Sequence, residues 1–316
     1  MHSENPFDAE FGRIPELYID FNNGAVKYAK RAHRYKKHPT YSLFITGVRG
    51  SGKIVFMNKV GKELNKYDDT IVVTLHNTED LFRIMYIKLA PMLNKLKKWS
   101  SSVSISLPFV SINFAEVNEK HDEIYYKTEI TKILKLLKQA NMRVVFCIDE
   151  VSNTPAIQKL DEEFNNWSLS ELQVSVIMTG LLKEVAELSS SHNLTFLVRA
   201  DRFHINKLQK LSIAQAYIKV FDITSDQAEE MAEMTQGYAY AFQLIGDLMY
   251  EELSTGKNFE ESWNYTKLVF KDTLFNQSYD VISHELTEID FQFLYEMSKI
   301  IILVQLSKKW VKASNT

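Results

Sequence analysis

Leu43-Phe-Ile-Thr-Gly-Val-Arg-Gly-Ser-Gly-Lys-Ile54 is the stretch that decides the fold. Leu43, Phe44 and Ile45 form an apolar run into Gly47, Gly50, Ser51, Gly52 and Lys53, and Val55, Phe56 and Met57 follow as an apolar, helix-compatible run. That order is strand, glycine loop, helix, the context a phosphate-binding P-loop requires. Glycines let the backbone turn so that successive N–H groups point into one concavity. The helix behind the loop adds the partial positive charge of its N-terminus. Nucleotide contacts are therefore expected from Gly47, Val48, Arg49, Gly50, Ser51, Gly52, Lys53, Ile54 and Val55, with Lys53 reaching the β- and γ-phosphates. One position departs from the pattern: the motif places Ser or Thr after the lysine to ligate Mg2+, and Ile54 has no hydroxyl to give.

Arg143-Val-Val-Phe-Cys-Ile-Asp-Glu150 is the second informative stretch. A continuous apolar strand of this kind suits a parallel sheet buried on both faces. It ends in two carboxylates, and the C-terminal ends of strands are where ligands sit in open α/β sheets. Asp149 is expected to hold Mg2+, and Glu150 to orient and deprotonate an attacking water.

Around these two, the patterning gives strands at Thr70–Leu75, Val174–Met178 (leading into Thr179-Gly180) and Leu194–Val198 (leading into Arg199). Helices are expected at Val55–Asn65, Asp80–Trp99, Glu119–Ala140, Leu208–Phe221, Ser225–Thr235 and Tyr238–Leu253. Thr224 reads as a helix cap and Gly237 as a helix stop. Val103–Val117 alternates around Pro108 and reads as a hairpin. Lys27–Lys37 carries six basic residues and no acid. That helix is either a solvated face or a phosphate or nucleic-acid contact.

The 316 residues suggest two domains and a small third. A formal charge of −3 gives no global pull toward nucleic acid or anionic membrane. The lone Cys147 excludes an intrachain disulfide and fits a reducing compartment. The Met-His-Ser-Glu-Asn-Pro start does not read as a signal peptide, and no apolar run reaches the roughly 18 residues a membrane span needs. The cytoplasm is the expected location.

Together, the P-loop, the Asp149-Glu150 strand, the strand ending in Thr179 and Gly237-Tyr-Ala-Tyr-Ala-Phe-Gln243 resemble prokaryotic AAA+/STAND-type ATPases, the group often called ATP-binding proteins or AAA-family ATPases. Asn5-Pro-Phe and Phe11-Gly-Arg-Ile-Pro15 resemble the start of that group. The resemblance covers approximately residues 5–300. It implies Walker A and Walker B elements, ATP or ADP with Mg2+, and an α/β P-loop NTPase three-layer sandwich. The sheet would be of the additional-strand type, with the Thr179 strand between the P-loop strand and the Asp149 strand. Thr179 would then be a polar sensor near the γ-phosphate. Arg199 is either a charge sensor or a surface arginine. The implied domains are an ATPase core at 1–205 with a hairpin insertion at 101–118, a helical lid at 206–275 and a partial winged-helix segment at 276–316. Ala239 stands where the family's lid segment has proline. Leu286–Met297 resembles the first winged-helix helix, whereas Ile300–Thr316 does not read as recognition helix and wing. An apolar face near Ile300–Val304 is expected to need a protein partner or to cause self-association.

Three functional readings follow. The first is a nucleotide-driven switch ATPase whose turnover Ile54 weakens. The second is a non-enzymatic nucleotide-binding protein. The third is DNA binding through the Lys27–Lys37 helix or the winged-helix segment, which steep salt dependence would reveal.

Overall fold

The computed structural model describes residues 4–10, 12–21, 23–34, 40–91, 121–190, 199–276 and 286–299. The hairpin expected at 101–118, the strand expected at Leu194–Val198 and the face at Ile300–Val304 lie outside them. The chain forms two compact units, Met1–Tyr250 and Glu251–Thr316.

Up to the unit boundary the elements run α1 (Gly24–Arg34), β1 (Thr40–Thr46), α2 (Lys53–Leu64), β2 (Thr70–His76), α3 (Leu81–Leu89), α4 (Glu123–Gln139), β3 (Arg143–Asp149), α5 (Pro155–Leu169), β4 (Val174–Gly180), α6 (Leu182–Ser190), β5 (Asp201–His204), α7 (Lys210–Val220), α8 (Ser225–Met234) and α9 (Ala239–Ser254), whose last residues follow Tyr250. The five strands form one sheet in the order β2-β3-β4-β1-β5, with every neighbouring pair parallel. β4 therefore lies between the P-loop strand and the Asp149 strand, the additional-strand arrangement.

All seven residues of β3 and all seven of β4 are buried, because helices cover both faces of the sheet. Side chains alternate across a strand. Val144, Phe146 and Ile148 accordingly join one core with α3, α4, α5 and α6, while Val145 and Cys147 join the other with α1 and α2. The result is three layers. Burial pushes the Cys147 thiol up to about 12, so its sulfur stays protonated and inert.

The fifth strand of the sheet follows Arg199. Asp201–His204 pairs with Leu43–Thr46 and closes the sheet edge. Arg199 is not at a strand's C-terminal end: it is an exposed residue in a helical turn just before β5.

α8 begins with a capping box in which Thr224 and Gln227 each satisfy the other's backbone N–H, and Gly237 (φ +75°) follows the helix as a left-handed stop. The N-terminal segment docks on these helices. Phe7 is buried against Phe221 (ring centroids 5.6 Å apart), Tyr217 and Phe242. A Cβ on Gly246 would collide with the Phe7 ring, so the glycine makes the seat. Asn5 Nδ2 donates to Asp247 Oδ1 at 2.6 Å, and Gln243 Nε2 donates to the Leu17 carbonyl at 2.9 Å.

In the second unit, α10 (Phe259–Leu274) is capped by Asn258, and a helix covers 288–299, where the sequence placed Leu286–Met297. Among the described residues no helix is long and apolar enough to cross a membrane.

Candidate functional site

Parallel strands bring their C-terminal ends to one edge of the sheet. Register aligns Ile45 with Thr179, Thr46 with Gly180, and Asp149 with His76, so the glycine loop, the Asp149-Glu150 pair and Thr179 emerge together. The loop itself turns through Gly50 (φ +67°) and Gly52 (φ +91°), the N-cap of α2.

Every carbonyl from Gly47 to Gly50 accepts a hydrogen bond. Lys53 Nζ donates to Gly47 O (3.1 Å) and Val48 O (2.9 Å). The Ser51 N–H donates to Val48 O (3.3 Å), Tyr238 Oη to Arg49 O (3.0 Å) and the Tyr240 N–H to Gly50 O (3.1 Å). By contrast, the start of α2 has no side-chain cap. The first N–H groups of a helix have no intrahelical acceptor, so Lys53, Ile54 and Val55 present theirs to an anion. The Ser51 hydroxyl is buried beside Gly47 without a partner. Outward carbonyls, free N–H groups and an orphaned hydroxyl suit a phosphate chain. Val48 and Arg49 are exposed on the rim, and Ile54 and Val55 are half-buried.

Across the site, Asp149 is buried. The Thr179 hydroxyl donates to Asp149 Oδ1 and accepts the Glu150 N–H at 3.1 Å. Thr179 thus links the two carboxylate residues. Glu150 adopts a left-handed backbone (φ +54°), rare for a non-glycine residue. Asn77, just after β2, holds it there: its N–H donates to Asp149 O and its Nδ2 to Glu150 O and Ser152 Oγ, each at 3.2 Å. The Glu150 side chain is exposed.

Burial lowers the Lys53 ammonium below the usual lysine range, while Asp149 and Glu150 pull it back up. Glu184, in the first turn of α6, adds a further negative charge near Lys53, and its carboxylate accepts the Leu181 N–H at 3.1 Å. Sequence reading missed Glu184 and Asn77. The signal for Glu184 was an acid in a helix's first turn directly after a buried strand. Arg199 is not brought to this group. It precedes β5, and β5 runs parallel to β1, so it lies toward the opposite end of the sheet from the loop.

For a divalent cation the chain offers less. No group of three or more His, Cys, Asp or Glu among the described residues could hold a metal. Ile54 contributes no side-chain oxygen, so bound phosphates and water would have to supply most of a cation's shell.

No protein-family model matches the sequence, and no curated relative is detectable by sequence. The structure is similar to the Aeropyrum pernix ORC2 protein in its ADP form: TM-score 0.53 at 10% identity, over 82% of this chain and 70% of that one. The same protein in ADPNP–ADP complexes gives 0.52 at 10% identity, over 79% and 67%. Cdc6p from Pyrobaculum aerophilum gives 0.51 at 11% identity, over 79% of this chain and 66% of that one. The chain thus spans about two thirds of the length of these proteins. At such identities the likeness shows the fold alone, an α/β architecture like that of ORC2 and Cdc6p.

Proposed function

We propose that this chain binds adenine nucleotide across Gly47–Lys53 and acts as a nucleotide-dependent AAA+ switch of the STAND kind, with hydrolysis slowed by Ile54. The observation that carries the reading is the loop's polarity: four consecutive carbonyls are held by other donors, and an uncapped helix start is left for phosphates. The likeness to a fold determined with ADP and with ADPNP supports the choice of ligand.

In this reading Lys53 exchanges its two carbonyl contacts for phosphate oxygens. Buried Asp149 is the residue that would hold Mg2+, which would neutralise charge on the phosphates. Glu150 accepts the proton of the attacking water. Thr179 is a positioning residue that fixes Asp149 and Glu150 relative to one another, so it senses the γ-phosphate through them. The segment Gly237–Gln243 touches the loop through Tyr238 and Tyr240, which supports the reading of residues 206–275 as a lid that responds to nucleotide. Partner contact or self-association belongs to the second unit, where residues 288–299 expose Ile289, Phe293 and Tyr295.

Ile54 also favours a second reading, a nucleotide binder without turnover. Calorimetry of ATP and ADP, with and without Mg2+, on the wild type and Ile54→Thr decides the matter. Binding by both proteins with Mg2+ helping only the threonine variant establishes an intact loop with a disabled metal position. Turnover rescued in Ile54→Thr favours the slowed ATPase, and unchanged turnover favours the pure binder. Absence of binding in both removes nucleotide from the account.

A further inference from the structure

We propose that the Tyr238 hydroxyl is a positioning group for the phosphate-binding loop: it holds the Arg49 carbonyl outward, aims the Gly50 N–H into the loop's concavity, and ties the loop's shape to the start of α9. The inference rests on the nucleotide reading above and deepens it.

Two consecutive loop carbonyls, Arg49 and Gly50, are held by donors from one helix start, Tyr238 Oη at 3.0 Å and the Tyr240 N–H at 3.1 Å. A trans peptide sets its C=O and N–H antiparallel. Fixing the Arg49 carbonyl toward Tyr238 therefore sends the Gly50 N–H to the opposite side, where an anion would sit. Gly50 is required twice over. Its φ of +67° favours glycine, and a Cβ there would collide with the Tyr238 hydroxyl itself. The tyrosine thus occupies the space a side chain at position 50 would take. The other brace, Lys53, grips Gly47 O and Val48 O and must release them to reach a phosphate. Tyr238 has no such conflict. Once Lys53 turns to the ligand, Tyr238 and the Tyr240 N–H remain as the hold of α9 on the loop.

Tyr238→Phe removes only the hydroxyl and keeps the ring against Tyr240 (centroids 6.1 Å apart). The test compares it with the wild type in three measurements: ADP affinity by calorimetry, hydrogen exchange of the 47–53 segment without nucleotide, and the urea midpoint. The expected result is affinity weakened about fivefold, the worth of one hydrogen bond, faster exchange confined to 47–53 and the start of α9, and an unchanged midpoint. Equal exchange in the two proteins overturns the inference. So does faster exchange spread over the whole unit with a lowered midpoint, which would mark a merely structural contact. Faster local exchange with unchanged affinity overturns it as well. If the wild type binds no ADP, the nucleotide reading fails separately, and exchange alone judges the brace: local acceleration supports it, equality removes it.

Discussion

Around the loop, four consecutive carbonyls are tied down by Lys53, Ser51, Tyr238 and Tyr240, and an uncapped helix start faces whatever anion arrives. One residue further on, Ile54 presents a branched apolar side chain where the proposed Mg2+ would want oxygen. The two sides of the site depend on different things. The phosphate side is built from backbone geometry, which many sequences can supply. The metal side depends on individual side-chain oxygens, and one substitution empties a coordination position. In the proposed reading, holding a nucleotide and turning it over are therefore separable.

Mutations can break or sharpen that contrast. Lys53→Ala has the largest expected effect: it removes the only ammonium on the loop, and ATP affinity falls about 100-fold, as the loss of two charge-assisted bonds implies. Calorimetry reads it, and an affinity near the wild-type value would show that the phosphate side is not where nucleotide sits. Thr179→Val comes next. It strips buried Asp149 of its donor and the Glu150 N–H of its acceptor, and costs about 1–3 kcal/mol in urea unfolding. Retained stability would mean that the strand ends hold themselves without the threonine. Ile54→Thr sharpens the contrast from the other side: Mg2+-dependent turnover is expected to rise about tenfold, with Mg2+-free binding unchanged. A gain in binding without Mg2+ would show that the two sides are not separable.

The smallest effect is a pH profile. Burial depresses the Lys53 ammonium in the free protein against the opposing pull of Asp149 and Glu150. The charged form is the one that holds phosphate, and a depressed lysine loses its proton at a lower pH than an ordinary one. Affinity is thus flat below that transition and falls as pH rises through it. Lys53→Arg, which keeps its charge, flattens the fall. Affinity titrations across the alkaline range check both.

β1, β3 and β4 were legible because strands buried on both faces are written as mainly apolar runs. The carboxylates and Thr179 were legible because they stand at the ends of those runs. β5 was not: Asp201-Arg-Phe-His204 is a short edge strand with alternating exposure, and nothing in its composition separates it from a loop. Its position also explains why Arg199, expected at a strand's C-terminal end, lies before one instead. Tyr238 could not be read as part of the loop because the contact spans 189 positions. Asn77 was invisible for a similar reason, since its amide reaches Glu150 O and Ser152 Oγ, 73 and 75 residues away. Local pattern reveals what a segment is, and tertiary contact decides what it holds.

The Phe7 seat on Gly246 has a consequence for the order in which the chain is made. Asn5 and its partner Asp247 are 242 positions apart, so the ribosome releases the aromatic long before the helices that enclose it exist. At synthesis rates of about 5–20 residues per second, the interval is on the order of 10–50 seconds. Throughout it the phenyl ring waits on the nascent chain, and the helices that hold Tyr217, Phe221 and Phe242 cannot complete their aromatic cluster until the Asn5–Phe7 segment returns to meet them.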